Sequence, residues 1–171
     1  MATSPSTKLF TLCSILMAAL FAYSASVQLN DPDWYFWFPL YSCGGVVNLM
    51  NCKVSCTQIR RAALVTLWLG IFLFLKVVFE GFMISRSGFW SLDLSKRLVR
   101  EKTGSGLVVA SMVLHLLSLH ETTHAMPRKN KELRSYSYIS YGMAILACFS
   151  FGLPFFFFVI MHGELKFDHN E

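Results

Sequence analysis

The sequence contains little charge for its length. Only 15% of its 171 residues are Asp, Glu, Lys or Arg, whereas an average soluble domain carries roughly 25%. Hydrophobic residues make up 54% of the chain, 16 residues are phenylalanine, and the mean hydropathy is +0.49. A water-soluble globule of this size could not hide so much apolar surface. The composition therefore excludes an ordinary soluble domain and predicts a membrane protein that is embedded in the lipid bilayer.

Several motifs are also missing. The chain has no Asn-x-Ser/Thr acceptor and no C-x-x-C pair, and among its five cysteines only Cys52 and Cys56 share a loop, at C-x3-C spacing. That spacing is typical of neither a redox motif nor a zinc knuckle. The net charge of +5 comes with no nucleic-acid-binding motif, and the Lys and Arg residues lie almost wholly between apolar runs, as in membrane topology signals. We therefore predict no nucleic-acid partner and no cofactor.

Five apolar runs approach the length of about 20 residues that a spanning helix needs. They cover residues 9–29, 34–50, 62–83, 105–119 and 138–161. The fourth has a short apolar core that contains His115, so four spans with a re-entrant fourth segment are the alternative. We predict an all-α integral membrane bundle of about five transmembrane helices. No repeat or long linker divides the chain, which favours one multi-pass domain over residues 1–171.

The regions beside the spans carry further signals. Before the fourth span, apolar and basic residues alternate at roughly helical spacing from Phe89 to Arg100, which predicts a short interfacial amphipathic helix, with a solvated basic leader as the alternative. Eight Lys and Arg residues flank the amino-terminal side and six the other, which favours a cytosolic amino terminus. The first run also resembles a secretory signal, but its apolar stretch continues to Leu29, which favours a retained helix.

The densest polar cluster between spans contains Gln28, Asn30, Asp31 and Asp33, with Pro32 among them. In the first interpretation Asp31 is the N-cap of the second span, Pro32 takes the first helical position and Asp33 lies in the first turn. Aromatic residues at the start of that span then form an interfacial belt, made of Trp34, Tyr35 and Trp37. In the second interpretation the four polar side chains bind a cation or a lipid headgroup.

His120-Glu121-Thr122-Thr123-His124 matches H-E-x-x-H, in which two histidines one helical turn apart bind zinc and the glutamate acts as general base. This makes a membrane-embedded zinc hydrolase an alternative function. Against it, Pro127 soon ends any helix, and no recognisable pattern supplies a third ligand. We favour the interpretation that these histidines lie at the polar end of the fourth span and bind no metal. We therefore predict no metal site and no catalytic residue.

Three ionisable residues lie inside the predicted spans. Lys76 and Glu80 are four residues apart in the third span, close enough to form a pair on one helix face, although Lys76 could also extend toward the membrane surface. His115 lies in the fourth span, where a hydrogen bond to a neighbouring helix is expected. Ionisable groups at membrane depth are costly, so a small transporter or channel that uses these three residues is a second alternative.

The element Ala25-Ser-Val-Gln-Leu-Asn-Asp-Pro-Asp33 ends the first span and precedes an aromatic-rich second span. Together with Arg100-Glu101 before Ser105-Gly106-Leu107, and with Pro154-Phe155, it resembles the transmembrane protein 220 family. The resemblance covers nearly the whole chain, and Gln-x-Asn-Asp-Pro-Asp is its specific part. It implies a small multi-pass membrane protein without an established biochemical activity, and it supplies no catalytic residue. Neither the His120–His124 motif nor the Lys76 and Glu80 pair belongs to the family's pattern.

The prediction is therefore a non-enzymatic multi-pass membrane protein that acts through helix packing, lipid or a protein partner. The sequence identifies neither that partner nor a homo-oligomeric state. The endomembrane system and the plasma membrane are the expected locations, and nothing in the sequence distinguishes between them.

Overall fold

The computed structural model describes residues 5–50, 56–84, 97–123 and 129–155. Throughout these ranges the regular secondary structure is helical, which confirms the all-α prediction. The helices are α1 (Pro5–Gln28), α2 (Trp34–Met50), α3 (Cys56–Ile84), α4 (Arg97–Thr123) and α5 (Lys129–Phe155). Cys52 and most of the predicted interfacial helix, including Phe89 and Trp90, lie outside the described residues.

Four helices in the described part of the chain are long and apolar enough to cross a membrane. They contain the segments Ser6–Gln28, Thr57–Met83, Val99–His120 and Ser137–Phe155. The remaining helix, α2, has the predicted bounds but only 17 residues, or about 25 Å at 1.5 Å per residue, which is somewhat less than the roughly 30 Å of a hydrocarbon core. The multi-pass membrane architecture is thus confirmed, with four full-length spans and a shorter fifth helix.

The fourth span is longer than the predicted 105–119. It extends over Val99–His120 within α4, because two polar residues near its start are buried in the bundle instead of facing water. Glu101 and Ser105 are both enclosed, and the Ser105 hydroxyl donates to the Glu101 carbonyl oxygen at 2.7 Å. The basic residues Arg97 and Arg100, assigned by the sequence to a separate interfacial helix, belong to the first turn of α4.

The helices form a closed ring in which each packs against its neighbour in sequence and α1 also packs against α5. The Ser140 hydroxyl of α5 donates to the Ser6 carbonyl oxygen of α1 at 3.0 Å, and Cys13 lies near Cys148 further along the same two helices. Because the residue numbers of the contacting pairs increase in the same direction along both helices, α1 and α5 run parallel. Short connections between antiparallel neighbours produce this arrangement in a bundle with an odd number of helices.

Two helices also meet across the ring, α2 and α4. Tyr41 approaches Gly104 and, farther along both helices, Asn48 bonds to Ser111, so α2 and α4 run parallel. This register gives the bundle two ends. We call the end that holds Ser6, Arg60 and His120 the amino-terminal end, and the opposite end, which holds the turn at residues 29–33, the Asp31 end.

The core receives large side chains from all five helices. The most enclosed are Phe10, Met17, Phe21, Trp37, Leu40, Leu73, Met112 and Met143. The outward surface is also apolar, since Trp68, Phe72 and Phe79 of α3 are each more than 60% exposed. Soluble proteins rarely expose a continuous surface of this kind, and the apolar outer face agrees with burial of the bundle in lipid.

Candidate functional site

The polar turn at the Asp31 end is built from consecutive backbone hydrogen bonds. The amide of Asp31 donates to the Gln28 carbonyl oxygen at 3.0 Å, and the amide of Trp34 donates to the Asp31 carbonyl oxygen at 3.2 Å. Because α2 begins at Trp34, Asp33 directly precedes the helix and takes the N-cap position that the sequence assigned to Asp31. Pro32 correspondingly lies before the helix and not at its first position.

The carboxylate of Asp33 accepts a hydrogen bond from the indole nitrogen of Trp37 at 3.2 Å. Trp37 is completely buried, so its assignment to the interfacial belt is wrong. Trp34 and Tyr35 are exposed, as belt residues would be. The reason is helical spacing: Trp37 and Leu40 share the face of α2 that packs into the bundle, whereas Trp34 and Tyr35 point away from it.

The ligand interpretation of this turn has one geometric feature in its favour. The Gln28 side-chain oxygen is buried and has no hydrogen-bond partner among the described residues, while Asn30 is exposed and Asp31 and Asp33 are half-buried. No group of three His, Cys, Asp or Glu side chains that could hold a metal ion occurs among the described residues. A cation or headgroup role for these four residues stays a prediction.

The H-E-x-x-H motif lies at the amino-terminal end of the bundle, where α4 ends. His120 is exposed at the last position of the spanning segment. Glu121 belongs to α4, whereas His124 lies outside the described residues. The structure thus places half of the motif at the helix exit and gives the zinc interpretation no support.

Lys76 and Glu80 do not form the predicted pair. The Lys76 ammonium nitrogen lies 5.6 Å from the centroid of the Phe36 ring of α2, which is cation–π geometry. Lys76 is exposed and Glu80 is half-buried, while His115 is completely enclosed. These positions do not bring the three residues of the transporter interpretation to one polar cavity, and that interpretation gains no support.

His115 belongs to a buried polar cluster that also contains Asn48 of α2 and Ser111 of α4. The Asn48 amide nitrogen donates to the Ser111 hydroxyl at 3.0 Å and to the Gly44 carbonyl oxygen at 2.8 Å. The Ser111 hydroxyl lies 3.1 Å from the Asn48 side-chain oxygen. The pair therefore satisfies polar groups of two helices against each other, as membrane bundles require.

The hydrogen bond of His115 differs from the prediction. Its Nδ1 lies 3.0 Å from the Ser111 carbonyl oxygen of the same helix, so the expected bond to a neighbouring helix is wrong. Because a carbonyl oxygen only accepts, Nδ1 must carry the proton. Nε2 is buried and has no partner in the described part of the chain. The neighbour across the interface is the ring of Phe10 in α1, with centroids 5.3 Å apart.

A second inward contact, which the sequence did not reveal, lies toward the Asp31 end. The Tyr41 hydroxyl occupies the space that a side chain at Gly104 would need. Tyr41 and Glu101 are both nearly fully buried and lie close enough to interact electrostatically. Gly104 is therefore needed for the close approach of α2 and α4. The signal available in the sequence was a glycine inside a polar helix start, and it did not identify the partner.

A groove opens between α3 and α4 at the amino-terminal end. Its volume is about 530 Å³. Apolar side chains line its walls, among them Leu64, Val113, Leu116 and Leu117, while Arg60 and His120 lie at its polar rim. Arg60 and His120 are far apart in sequence and meet only because α3 and α4 run antiparallel, as the contact of Gly70 with Val109 and that of Gly106 with Phe74 require.

Comparison with known proteins agrees with the architecture. No solved structure matches the chain. The family model described as "Transmembrane family 220, helix" matches residues 20–117, which extend from the middle of α1 through the turn at the Asp31 end and α2 and α3 into α4. The match covers more than half of the sequence and includes the Gln-x-Asn-Asp-Pro-Asp element. The chain belongs to the transmembrane protein 220 family.

Proposed function

We propose that this multi-pass membrane protein is non-enzymatic and acts through contacts that its outward helix faces make with lipid and with partner proteins. One observation carries the proposal, the distribution of polarity across the bundle. The polar side chains of Asn48 and Ser111 bond to each other in the interior, whereas the outward face of α3 presents Trp68 and Phe72. The interior polar groups hold helices together, and the surface is suited to an apolar environment.

The surroundings of His120 agree with the proposal. Its side chain lines an apolar groove with Arg60, and a guanidinium group repels a metal cation and is no zinc ligand. The residues at this position are suited to binding an anion or contacting a surface. The favoured role for the carboxyl-terminal end of α4 is therefore contact, not hydrolysis.

Site-specific photo-crosslinking in intact cells tests the proposal. A benzophenone side chain would replace Phe72, which is 64% exposed, and in a matched control Leu73, which is completely buried. We expect adducts with lipid or with another protein from position 72, and only cross-links within the chain from position 73. Absence of external adducts at position 72, with the protein inserted in the membrane, would contradict the contact function.

The zinc content of the purified protein tests separately the proposal that the protein is not a zinc hydrolase. Stoichiometric zinc that disappears in the double variant His120→Ala, His124→Ala would overturn it. We expect no difference in zinc content between this variant and the unmodified protein.

A further inference from the structure

The groove between α3 and α4 combines an apolar interior with a cationic rim. Val113 and Leu117 of α4 are 40% and 48% exposed, and Leu64 of α3 is 37% exposed, so the walls open toward the outside of the bundle. In a membrane, this opening faces acyl chains. The volume of about 530 Å³ lies within the range of about 300–1,000 Å³ that is usual for ligand sites, and an apolar chain fits it better than water does.

The rim determines which molecule fits. Arg60 is exposed and lies in the second turn of α3. A guanidinium group binds phosphate oxygens through two parallel hydrogen bonds. His120 lies on the opposite wall. The rim therefore combines the cationic group of Arg60 in α3 with a polar side chain of α4.

The depth of the groove matches this position. The lining continues from His120 to Val113, seven residues or about 10 Å along α4. A phosphate at the rim consequently lies at the end of a spanning segment, where headgroups are found, while the walls extend into the hydrocarbon layer. Basic pockets between transmembrane helices on the cytoplasmic side are suited to anionic headgroups, and the distribution of Lys and Arg predicts this side for the amino-terminal end.

We propose that the α3–α4 groove binds one anionic phospholipid, with its phosphate at Arg60 and an acyl chain along Leu64, Val113 and Leu117. The inference rests on the proposed function, since it names the class of lipid and the place where the outward surface binds it. The occupant is a lipid and not free phosphate, because most of the lining is apolar.

The neighbouring arginines provide a matched pair of variants. Arg60 lines the groove, whereas Arg61 is also exposed but is absent from the lining. Full-length protein would be titrated with phosphatidylserine and, separately, with phosphatidylcholine of the same acyl chains, and bound lipid would be counted by native mass spectrometry. Arg60→Gln should weaken phosphatidylserine binding about tenfold, the equivalent of about 1.4 kcal/mol, while Arg61→Gln should change it less than about twofold.

Two further arms identify the source of the phosphate and the role of the walls. Inorganic phosphate should not displace bound phosphatidylserine, and complete displacement would overturn the lipid assignment. Leu117→Trp fills the groove from an exposed position and should reduce the binding of both lipids at this site. Unchanged binding in Leu117→Trp would contradict a groove-bound acyl chain.

The failure of this inference can be distinguished from failure of the proposed function. Equal losses in Arg60→Gln and Arg61→Gln, or equal affinity of the unmodified protein for both lipids, would overturn the headgroup site while lipid adducts at Phe72 still formed. Absence of any adduct at Phe72 would instead contradict the contact function itself.

Discussion

Helices α3 and α4 pack against each other more extensively than most pairs in the bundle, yet they present opposite chemistry. Among the four candidate spans α3 is the most apolar and α4 the least. The apolar helix presents large aromatic side chains outward. The less apolar helix buries a polar stripe made of Glu101, Ser105, Ser111, His115 and Ser118.

This difference shows that the most apolar helix is not the most central one, because its hydropathy comes partly from the side chains that it presents to lipid. Helix α4 contacts α2, α3 and α5, so its polar side chains have partners available on several sides. Helix α3 needs no polar partner on its outward face, because lipid covers it. The helix that looks least suited to a membrane is therefore one of the most enclosed.

The largest expected effect comes from placing a charged residue on the outward, apolar face of α3. Phe72 lies near the middle of α3, and Arg at the centre of a spanning helix costs about 3 kcal/mol of insertion free energy relative to an apolar residue. Phe72→Arg should therefore lower the inserted fraction, measured as protein that resists carbonate extraction from membranes. Phe72→Leu is the control and should insert normally. A Phe72→Arg protein that inserts as well as the control would show that lipid does not cover this face.

The next largest effect concerns the inward face of α4. A Cβ atom at Gly104 collides with the Tyr41 hydroxyl, and the buried ring of Tyr41 has little room to move. We expect Gly104→Ala to lower the free energy of unfolding by about 1–3 kcal/mol, measured by denaturant titration in detergent micelles. At Gly106 the nearest atom to an added Cβ is a Phe74 ring carbon at 3.6 Å, which is ordinary contact, so Gly106→Ala should be neutral.

A second-site variant tests the cause of that loss. Tyr41→Phe removes the hydroxyl and should restore much of the stability lost in Gly104→Ala, which gives a favourable coupling energy in the double-mutant cycle. Additive effects of the two substitutions would contradict the close contact between α2 and α4.

A smaller effect is expected for the buried pair Asn48 and Ser111. Ser111→Ala leaves the Asn48 side-chain oxygen without the hydroxyl 3.1 Å away, and hydrogen bonds between membrane helices contribute about 0.6 kcal/mol on average and up to about 1.7. The same unfolding titration should detect a loss in this range. Ser26→Ala is the control, since the Ser26 hydroxyl is exposed and donates to the carbonyl oxygen of Tyr23 in the same helix. An equal loss in both variants would argue against a special role for the inward pair.

The sequence predicted the helices better than their contacts. Long apolar runs identify spans directly, and the bounds of α2 were predicted at residues 34–50, as the structure has them. The start of α4 was missed because charged residues such as Arg100 and Glu101 predicted a separate interfacial or solvated segment, whereas Glu101 is buried in the bundle. Whether a polar residue faces water or another helix depends on its neighbours, and those neighbours come from distant parts of the chain.

The candidate sites show the same limit. The turn at the Asp31 end is local, so its proline and aspartates predicted a helix start to within two residues. Whether Trp37 is buried and which group His115 contacts depend on which helix face packs inward. A short run with apolar residues on every side has no periodicity that would identify the inward face. The groove joins Arg60 and His120 through the antiparallel register of α3 and α4, which no local pattern contains.

Collision accessibility of spin labels would test the contrast between the two faces most directly. A nitroxide would be attached at Phe72 or at Leu73, in each case to an introduced cysteine in protein whose five native cysteines are replaced by serine. The labelled protein in lipid vesicles would be exposed to oxygen and to a water-soluble nickel complex. We predict high accessibility to oxygen and low accessibility to nickel at position 72, and low accessibility to both at position 73. High nickel accessibility at position 72, or identical behaviour of the two positions, would contradict a bundle in which α3 presents Phe72 to lipid and packs Leu73 into the interior.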